Sequence, residues 1–328
     1  MLPSIMRTIE VSEPGTPDVL VMGERVLPEP QSHEVLVKLI AAGVNGPDLL
    51  QRRGHYPPPK GASDLLGLEV SGEVVAVGDD VSRWKEGDVI CALVNGGGYA
   101  EYVAIDAKHC LPIPGNVSPQ DAAGLPETYF TVWSNLFLNQ TVKDNGILLV
   151  HGGAGGIGTT AIQLGKQMGM RVFTTCSSKE NAEYCESLGA ERAINYREED
   201  FVEIVREAGG ADLIQDIVGS DYIAKHIKVA SPDARIVQLA FRQGSKVEID
   251  LMNVMLKRLT FTGSTLRSRP VEFKSLIAKD LEEKVWPWFA DGKLKTLTHT
   301  VFKMDEVVRA HEMMEASQHR GKILLSMV

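Results

Sequence analysis

Cysteine is scarce and scattered in this 328-residue sequence. Cys91, Cys110, Cys176 and Cys185 form no C-x-x-C pair and no cysteine–histidine cluster at metal-ligand spacing. A disulfide framework and a structural zinc are therefore not expected, and the four thiols read as reduced, mostly buried side chains of a cytoplasmic protein. No apolar run approaches the length that spans a bilayer, and Met1-Leu-Pro-Ser-Ile-Met-Arg7 lacks the charged-then-apolar order of a secretory signal. Positive charge is also in deficit. Lys and Arg number 34 against 43 Asp and Glu, a formal net charge of −9 with pI about 5.5, which disfavours a nucleic-acid partner. Internal repeats and low-complexity segments are absent as well. What is present is a 44% share of hydrophobic residues, a mean hydropathy of −0.06, and a length that suggests two domains.

From Arg7 to about Ala122 the chain reads as strands and turns. Val19–Val21, Glu34–Ile40, Glu73–Val77 and Tyr99–Val103 have strand length and composition, and Pro28, Pro30, Pro57–Pro59, Gly54, Gly61 and Gly78 punctuate them. One short helix is expected at Pro47–Arg53, with proline in its first turn. From about Ala123 strands alternate with helices: Ile147–Val150, Arg171–Cys176, Arg192–Tyr196, Leu213–Val218, Arg235–Ala240 and Leu259–Ser264. That alternation predicts an α/β fold with a doubly wound parallel sheet. The tail beyond Leu266 holds helices and one last strand, Lys322–Met327, too little for a domain of its own. Residues 1–122 and 267–328 are accordingly expected to form one domain and residues 123–266 the other.

The second domain is organised around His151-Gly-Gly-Ala-Gly-Gly-Ile-Gly158, between the apolar run Ile147–Val150 and an amphipathic helix. Gly153, Gly155 and Gly158 fit G-x-G-x-x-G in the strand–turn–helix setting that pattern needs. One glycine permits the tight turn, one lets backbone approach a pyrophosphate, and one lets helix pack on strand. The dinucleotide is expected along Gly153, Ala154, Gly155, Gly156, Ile157 and Gly158, its phosphates at the helix start. An NAD enzyme carries an acid about 20 residues further on. Here Arg171–Cys176 runs into Ser177-Ser178-Lys179, whose hydroxyls and ammonium suit a 2′-phosphate, so NADPH is the expected cofactor. Ser177 also reads as a helix N-cap with Glu180 completing a capping box, and Lys179 also reads as a solvated surface lysine.

Five ordered stretches carry a family resemblance across nearly the whole chain: Ala42–Pro57, Gly67–Gly72, Leu125–Trp133, the glycine loop and Met314–Leu324. The sequence resembles the medium-chain dehydrogenase/reductase superfamily, specifically its zinc-free quinone oxidoreductase branch, and looks closest to the tumour-suppressor-inducible NADPH quinone oxidoreductases. The resemblance implies a Rossmann sheet plus a β-rich GroES-like catalytic domain, with the active site in the cleft between them. Zinc alcohol dehydrogenases of this superfamily hold catalytic zinc with a cysteine where Asn45 stands and a histidine where Leu68 stands. Leucine ligates no metal and an amide is a poor zinc ligand, so no metal is expected. Alcohol oxidation is disfavoured with it, since nothing then lowers the alcohol's pKa.

The expected chemistry is hydride transfer from NADPH to a quinone, the protein orienting the nicotinamide against the ring. Asn45 and Tyr56 are the expected donors to the quinone oxygens, with a turn-stabilising amide and a surface aromatic as the plainer readings. Asp48 and Glu69 read as structural, pairing with backbone or with Arg52 or Arg53. Tyr129 either flanks the nicotinamide or packs at a helix start. The resemblance adds Tyr196 near the adenosine 2′-phosphate, and Val218, Leu239 and Phe241 along the nicotinamide crevice. Phe241-Arg242-Gln243-Gly244 stands where the family often has a glycine-rich turn. Arg267 reads as a phosphate ligand or a surface salt-bridging residue. A homodimer is expected through Leu259–Ser264, with no membrane or nucleic-acid partner. Two further readings stay open: an NADPH-dependent enone or alkenal double-bond reductase, and an NADPH-binding protein with little turnover.

Overall fold

Alternating burial along the early segments makes strands of them, and the computed structural model describes residues 2–327. The hairpin β1 (Ile5–Val11) and β2 (Leu20–Val26) is an antiparallel two-stranded sheet, tied to the Tyr99–Glu101 segment by a bridge between Thr8 and Ala100. The long β3 (Glu34–Val44) is followed by helix α1 (Gly46–Arg52), then β4 (Glu69–Val77), β5 (Val89–Leu93), β6 (Tyr102–Asp106) and β7 (Cys110–Pro112). Val35, Val37, Leu39, Ala42 and Val44 of β3 enter one core with Val70, Val74, Ile90 and Ala92. Burying them is the main force holding this unit together, at about 25 cal/mol per Å² of apolar surface.

Two short helices follow, α2 (Pro119–Ala122) and α3 (Pro126–Val132). Strand β8 (Ile147–His151) then opens the expected alternation: α4 (Gly156–Gln167), β9 (Arg171–Cys176), α5 (Lys179–Ser187), β10 (Arg192–Asn195), α6 (Phe201–Glu207), β11 (Ala211–Asp216), α7 (Tyr222–Val229), β12 (Ala230–Gln238), α8 (Met252–Leu256) and β13 (Thr260–Gly263). These six strands form one parallel sheet in the order β10-β9-β8-β11-β12-β13. That order reverses at β8/β11 and is the doubly wound Rossmann arrangement, as the alternation predicts.

The tail supplies α9 (Val271–Asp280), a π-helical turn at Leu281–Val285, α10 (Trp286–Ala290), β14 (Thr298–Lys303), α11 (Val307–Glu315) and β15 (Lys322–Ser326). Pro287 falls in the first turn of α10, where no N–H is needed. Strand β15 pairs antiparallel with the C-terminal half of β3, Ile323 opposite Val44 and Ser326 opposite Ala41. The chain divides into two compact units, Met1–Phe130 with Arg267–Val328, and Thr131–Leu266. The first unit thus extends past residue 122 into α3, because Glu127 hydrogen-bonds Glu69 and Tyr129 packs on Trp286 and Phe289.

Candidate active site

In the Rossmann unit, β8 delivers the chain into the glycine loop. Gly152 takes a left-handed φ of +73°, which makes the turn. A Cβ on Gly158 would stand 2.2 Å from the Gly152 carbonyl oxygen, so helix α4 closes against the loop only because that side chain is missing. At Gly155, the N-cap of α4, a Cβ would meet nothing nearer than 3.8 Å. The loop therefore presents bare backbone on an open side at the start of a twelve-residue helix, and a pyrophosphate fits that cradle.

Two buried histidines brace this loop. The His151 Nδ1 lies 2.9 Å from the Thr175 hydroxyl, and its Nε2 lies 2.8 Å from Nε2 of His226. Burial depresses both rings, His226 to about 3, so the pair is neutral and one ring donates to the other. Asp216 at the end of β11 accepts from the backbone N–H of Val218 and of Gly219, fixing the next crossover turn. The Arg242 and Gln243 amides donate back to Ile217 and Val218, bringing Phe241 beside Val218 with its ring half exposed. Leu239 is partly buried in the same turn, its amide on the Asp216 carbonyl.

At the tip of β9 the structure changes one detail. Ser178, not Ser177, is the N-cap of α5, its hydroxyl accepting from the Asn181 amide at 3.2 Å. Adjacent serines leave this register open in sequence, and the extended φ of Ser178 settles it. Ser177 instead accepts from the Asn181 side chain at 3.3 Å. The Lys179 ammonium is exposed and only 4.0 Å from Glu183, a pairing of little energy. Tyr196 follows β10 with its amide on the Cys176 carbonyl and its ring exposed.

The catalytic-domain residues converge on a buried polar cluster. Asn45 caps α1, and its backbone N–H donates to Asp48 at 2.8 Å. Its side chain is engaged at both ends: Nδ2 donates to Glu69 Oε1 at 2.8 Å, and Oδ1 accepts from Lys322 Nζ at 2.5 Å. Lys322 also meets Glu69 at 2.6 Å and the Val44 carbonyl at 3.4 Å, so one ammonium satisfies three acceptors. The Asn45 amide is thus held within the chain rather than left free as a donor. Asp48 accepts from the Gly67 amide and the Tyr99 hydroxyl, and burial pushes its carboxyl up to about 6 against the bonds from the Gly67 and Asn45 backbone amides. Arg52 and Arg53 pair with Glu315, not with Asp48 or Glu69. Arg52 also meets His311, buried with it.

Tyr56 is half buried, with the Arg267 guanidinium 5.5 Å from its ring centre. Burial raises the Tyr56 phenol, the charge of Glu127 adding to the effect. Arg267 is buried rather than a surface salt-bridging residue. Its Nε and Nη2 donate to the Asn95 carbonyl and its Nη1 to Gln51. Lys274 donates to the Asn95 side chain and the Arg267 carbonyl, and burial lowers its ammonium to about 8. Tyr129 is engaged in packing, the second of its two readings: its buried ring meets Trp286 and Phe289. Sequence reasoning missed Lys322 and Glu127. A lysine opening the apolar run Lys322-Ile-Leu-Leu was the available signal for the first.

Among the described residues no three His, Cys, Asp or Glu side chains come together as a metal-binding group. No helix among them is long and apolar enough to cross a membrane. Comparison with known proteins follows the two units. Residues 31–115 match the alcohol dehydrogenase GroES-like domain family, and residues 156–282 match the zinc-binding dehydrogenase family. The quinone oxidoreductase of Lama guanicoe is 31% identical over 330 residues, covering 98% of this chain and 97% of that one. The quinone oxidoreductase of Escherichia coli, solved in complex with NADPH, superposes with a TM-score of 0.84 at 27% identity over 98% of this chain and 99% of that one. The CurK enoyl reductase superposes with a TM-score of 0.85 at 27% identity over 99% of this chain and 100% of that one.

Proposed function

Because the chain belongs to the medium-chain dehydrogenase/reductase superfamily, in its quinone oxidoreductase family, we propose that it is a zinc-independent NADPH:quinone reductase of the cytoplasm. Oxidoreductase chemistry comes with the family. The cofactor reading rests on the tip of β9, where two hydroxyls, the exposed Lys179 and the neighbouring Tyr196 stand in place of an acid. A carboxylate there would repel a 2′-phosphate, whereas an ammonium and hydroxyls attract it. Four free, buried cysteines accord with a reducing compartment. The donor set supports independence from zinc: Leu68 has no donor atom, and Asn45 is committed to Glu69 and Lys322.

When bound along Gly153–Gly158, NADPH supplies the hydride. Ser177, Ser178, Lys179 and Tyr196 hold its adenosine phosphate end, while Val218, Leu239 and Phe241 border the nicotinamide end. Tyr56 donates its hydroxyl to a quinone oxygen, and its raised pKa keeps it protonated at neutral pH. Asn45 serves the site by locking Glu69 and Lys322 in place. An enone reductase is the second reading, favoured by the likeness to the CurK enoyl reductase, since both acceptors take hydride on a conjugated system. The same reading makes the protein a homodimer through β13, the edge of its sheet, where Phe261 is exposed and neighbouring α8 buries no residue.

The test is steady-state oxidation of NADPH and NADH with one quinone. Lys179→Ala is expected to lower kcat/KM about 10-fold with NADPH, by loss of a charge-assisted contact, and to leave NADH unchanged. Equal losses with both cofactors would remove the support at β9.

A further inference from the structure

The glycine loop after β8 and the turn after β11 flank the point where the strand order of the parallel sheet reverses. Sheets of this kind bind a dinucleotide across that point. Here one run of buried side chains joins the loop to the turn. The Thr175 carbonyl accepts from the Gly153 amide at 3.0 Å, and the Thr175 hydroxyl lies 2.9 Å from His151 Nδ1. His151 Nε2 lies 2.8 Å from His226 Nε2. His226 Nδ1 has no hydrogen-bond partner and faces Asp216 Oδ2 at 3.7 Å. Asp216 in turn accepts from the Val218 amide at 2.6 Å and the Gly219 amide at 3.1 Å. Thr175, His151, His226 and Asp216 are all buried.

The run has a direction. Both rings are neutral, so each carries one N–H. With the His226 proton on Nε2, the Nδ1 lone pair would face the Asp216 carboxylate. With the proton on Nδ1, the N–H faces that carboxylate and Nε2 accepts from His151. His151 Nδ1 then accepts from the Thr175 hydroxyl, and every donor points toward Asp216. Phe201 and Tyr222 close the pair off, each ring centre 5.0 Å from that of His151. Apolar packing would fill this space without desolvating two imidazoles. Directional bonds add what packing does not, a fixed position of the loop relative to the turn.

We propose that His226 is a positioning residue for the cofactor. Through His151 and Thr175 on one side and Asp216 on the other, it holds the glycine loop and the Val218–Gly219 turn in the register that lets one dinucleotide engage both. The role rests on the reading of the glycine loop as a dinucleotide site.

The test compares binding of NADPH with that of 2′,5′-ADP, which has the adenosine phosphate half alone. His226→Phe keeps a ring and removes both nitrogens. Thr175→Val keeps the shape and the carbonyl bond to Gly153, and cuts the run at its other end. Each is expected to weaken NADPH about 10-fold, the loss of about one hydrogen bond, and to leave 2′,5′-ADP within about 2-fold. The double variant is expected to cost no more than the larger single one, because both cut the same run. His226→Gln, whose amide can accept from His151 and donate to Asp216, is expected to recover part of the affinity. Nitrogen-15 NMR of the wild-type protein at pH 7 is expected to show His226 protonated on Nδ1 and His151 on Nε2. Equal losses for NADPH and 2′,5′-ADP would make the pair a structural brace only and overturn the proposal. Unchanged NADPH affinity in Thr175→Val, or the opposite tautomers, would overturn it as well, and these two decide if His226→Phe does not fold. Wild-type protein that binds neither NADPH nor NADH would instead overturn the underlying dinucleotide reading.

Discussion

At the scale of single residues the buried ion pair dominates. Glu69 is fully buried and Lys322 nearly so, and each is hydrogen-bonded within the cluster. Removing one partner of such a pair strands a charge in a low dielectric, at a cost of about 3–5 kcal/mol. Lys322→Met is expected to lose that much stability in urea unfolding, and Lys322→Met with Glu69→Gln to recover part of it. A loss below about 1 kcal/mol in the single variant would mean that the pair is more hydrated than its burial indicates. Sequence reading reaches Asn45, Tyr56, Asp48 and Glu69 because they fall in recognisable stretches. It misses Lys322 because its partners lie more than 250 positions away and only the antiparallel seating of β15 on β3 joins them. The partners of Arg52 and Arg53 are missed for the same reason, Glu315 being brought in by α11.

At the scale of elements the glycine loop was the most legible part of the chain, since its constraints are steric and local. Gly155 and Gly158 separate two uses of glycine. Gly158→Ala puts a Cβ against the Gly152 carbonyl and is expected to shift the loop, lowering both thermal stability and nucleotide affinity. Gly155→Ala has room and an ordinary φ of −81°, so stability is expected to hold while NADPH affinity falls at least about 10-fold, the loss of about 1.4 kcal/mol as the methyl displaces phosphate from backbone. Fluorescence titration with NADPH beside thermal melts checks both; equal affinity in Gly155→Ala would mean that the phosphates lie elsewhere. The bracing of this loop by His226 was not legible, because α7 brings that ring to His151 across 75 positions. The N-cap of α5 was read one residue early, as neighbouring serines allow.

For the whole molecule, the alternation of strands and helices carries the sheet order β10-β9-β8-β11-β12-β13, and turn-rich composition carries the β-rich unit. The edge strand β13, with Met255, Leu256 and Phe261 exposed nearby, is expected to pair with a second copy. Light scattering is expected to give twice 35.8 kDa at micromolar concentration, and Phe261→Glu to reduce it to one chain mass. A wild-type monomer would contradict the dimer without touching the chemistry. Which acceptor takes the hydride is tested by NADPH oxidation by chelator-treated protein, followed at 340 nm, with 1,2-naphthoquinone and with an enone in parallel. A zinc-independent quinone reductase is expected to turn over after chelation, with the higher kcat/KM for the quinone. Faster reduction of the enone, or NADPH binding with no turnover on either acceptor, would contradict that reading.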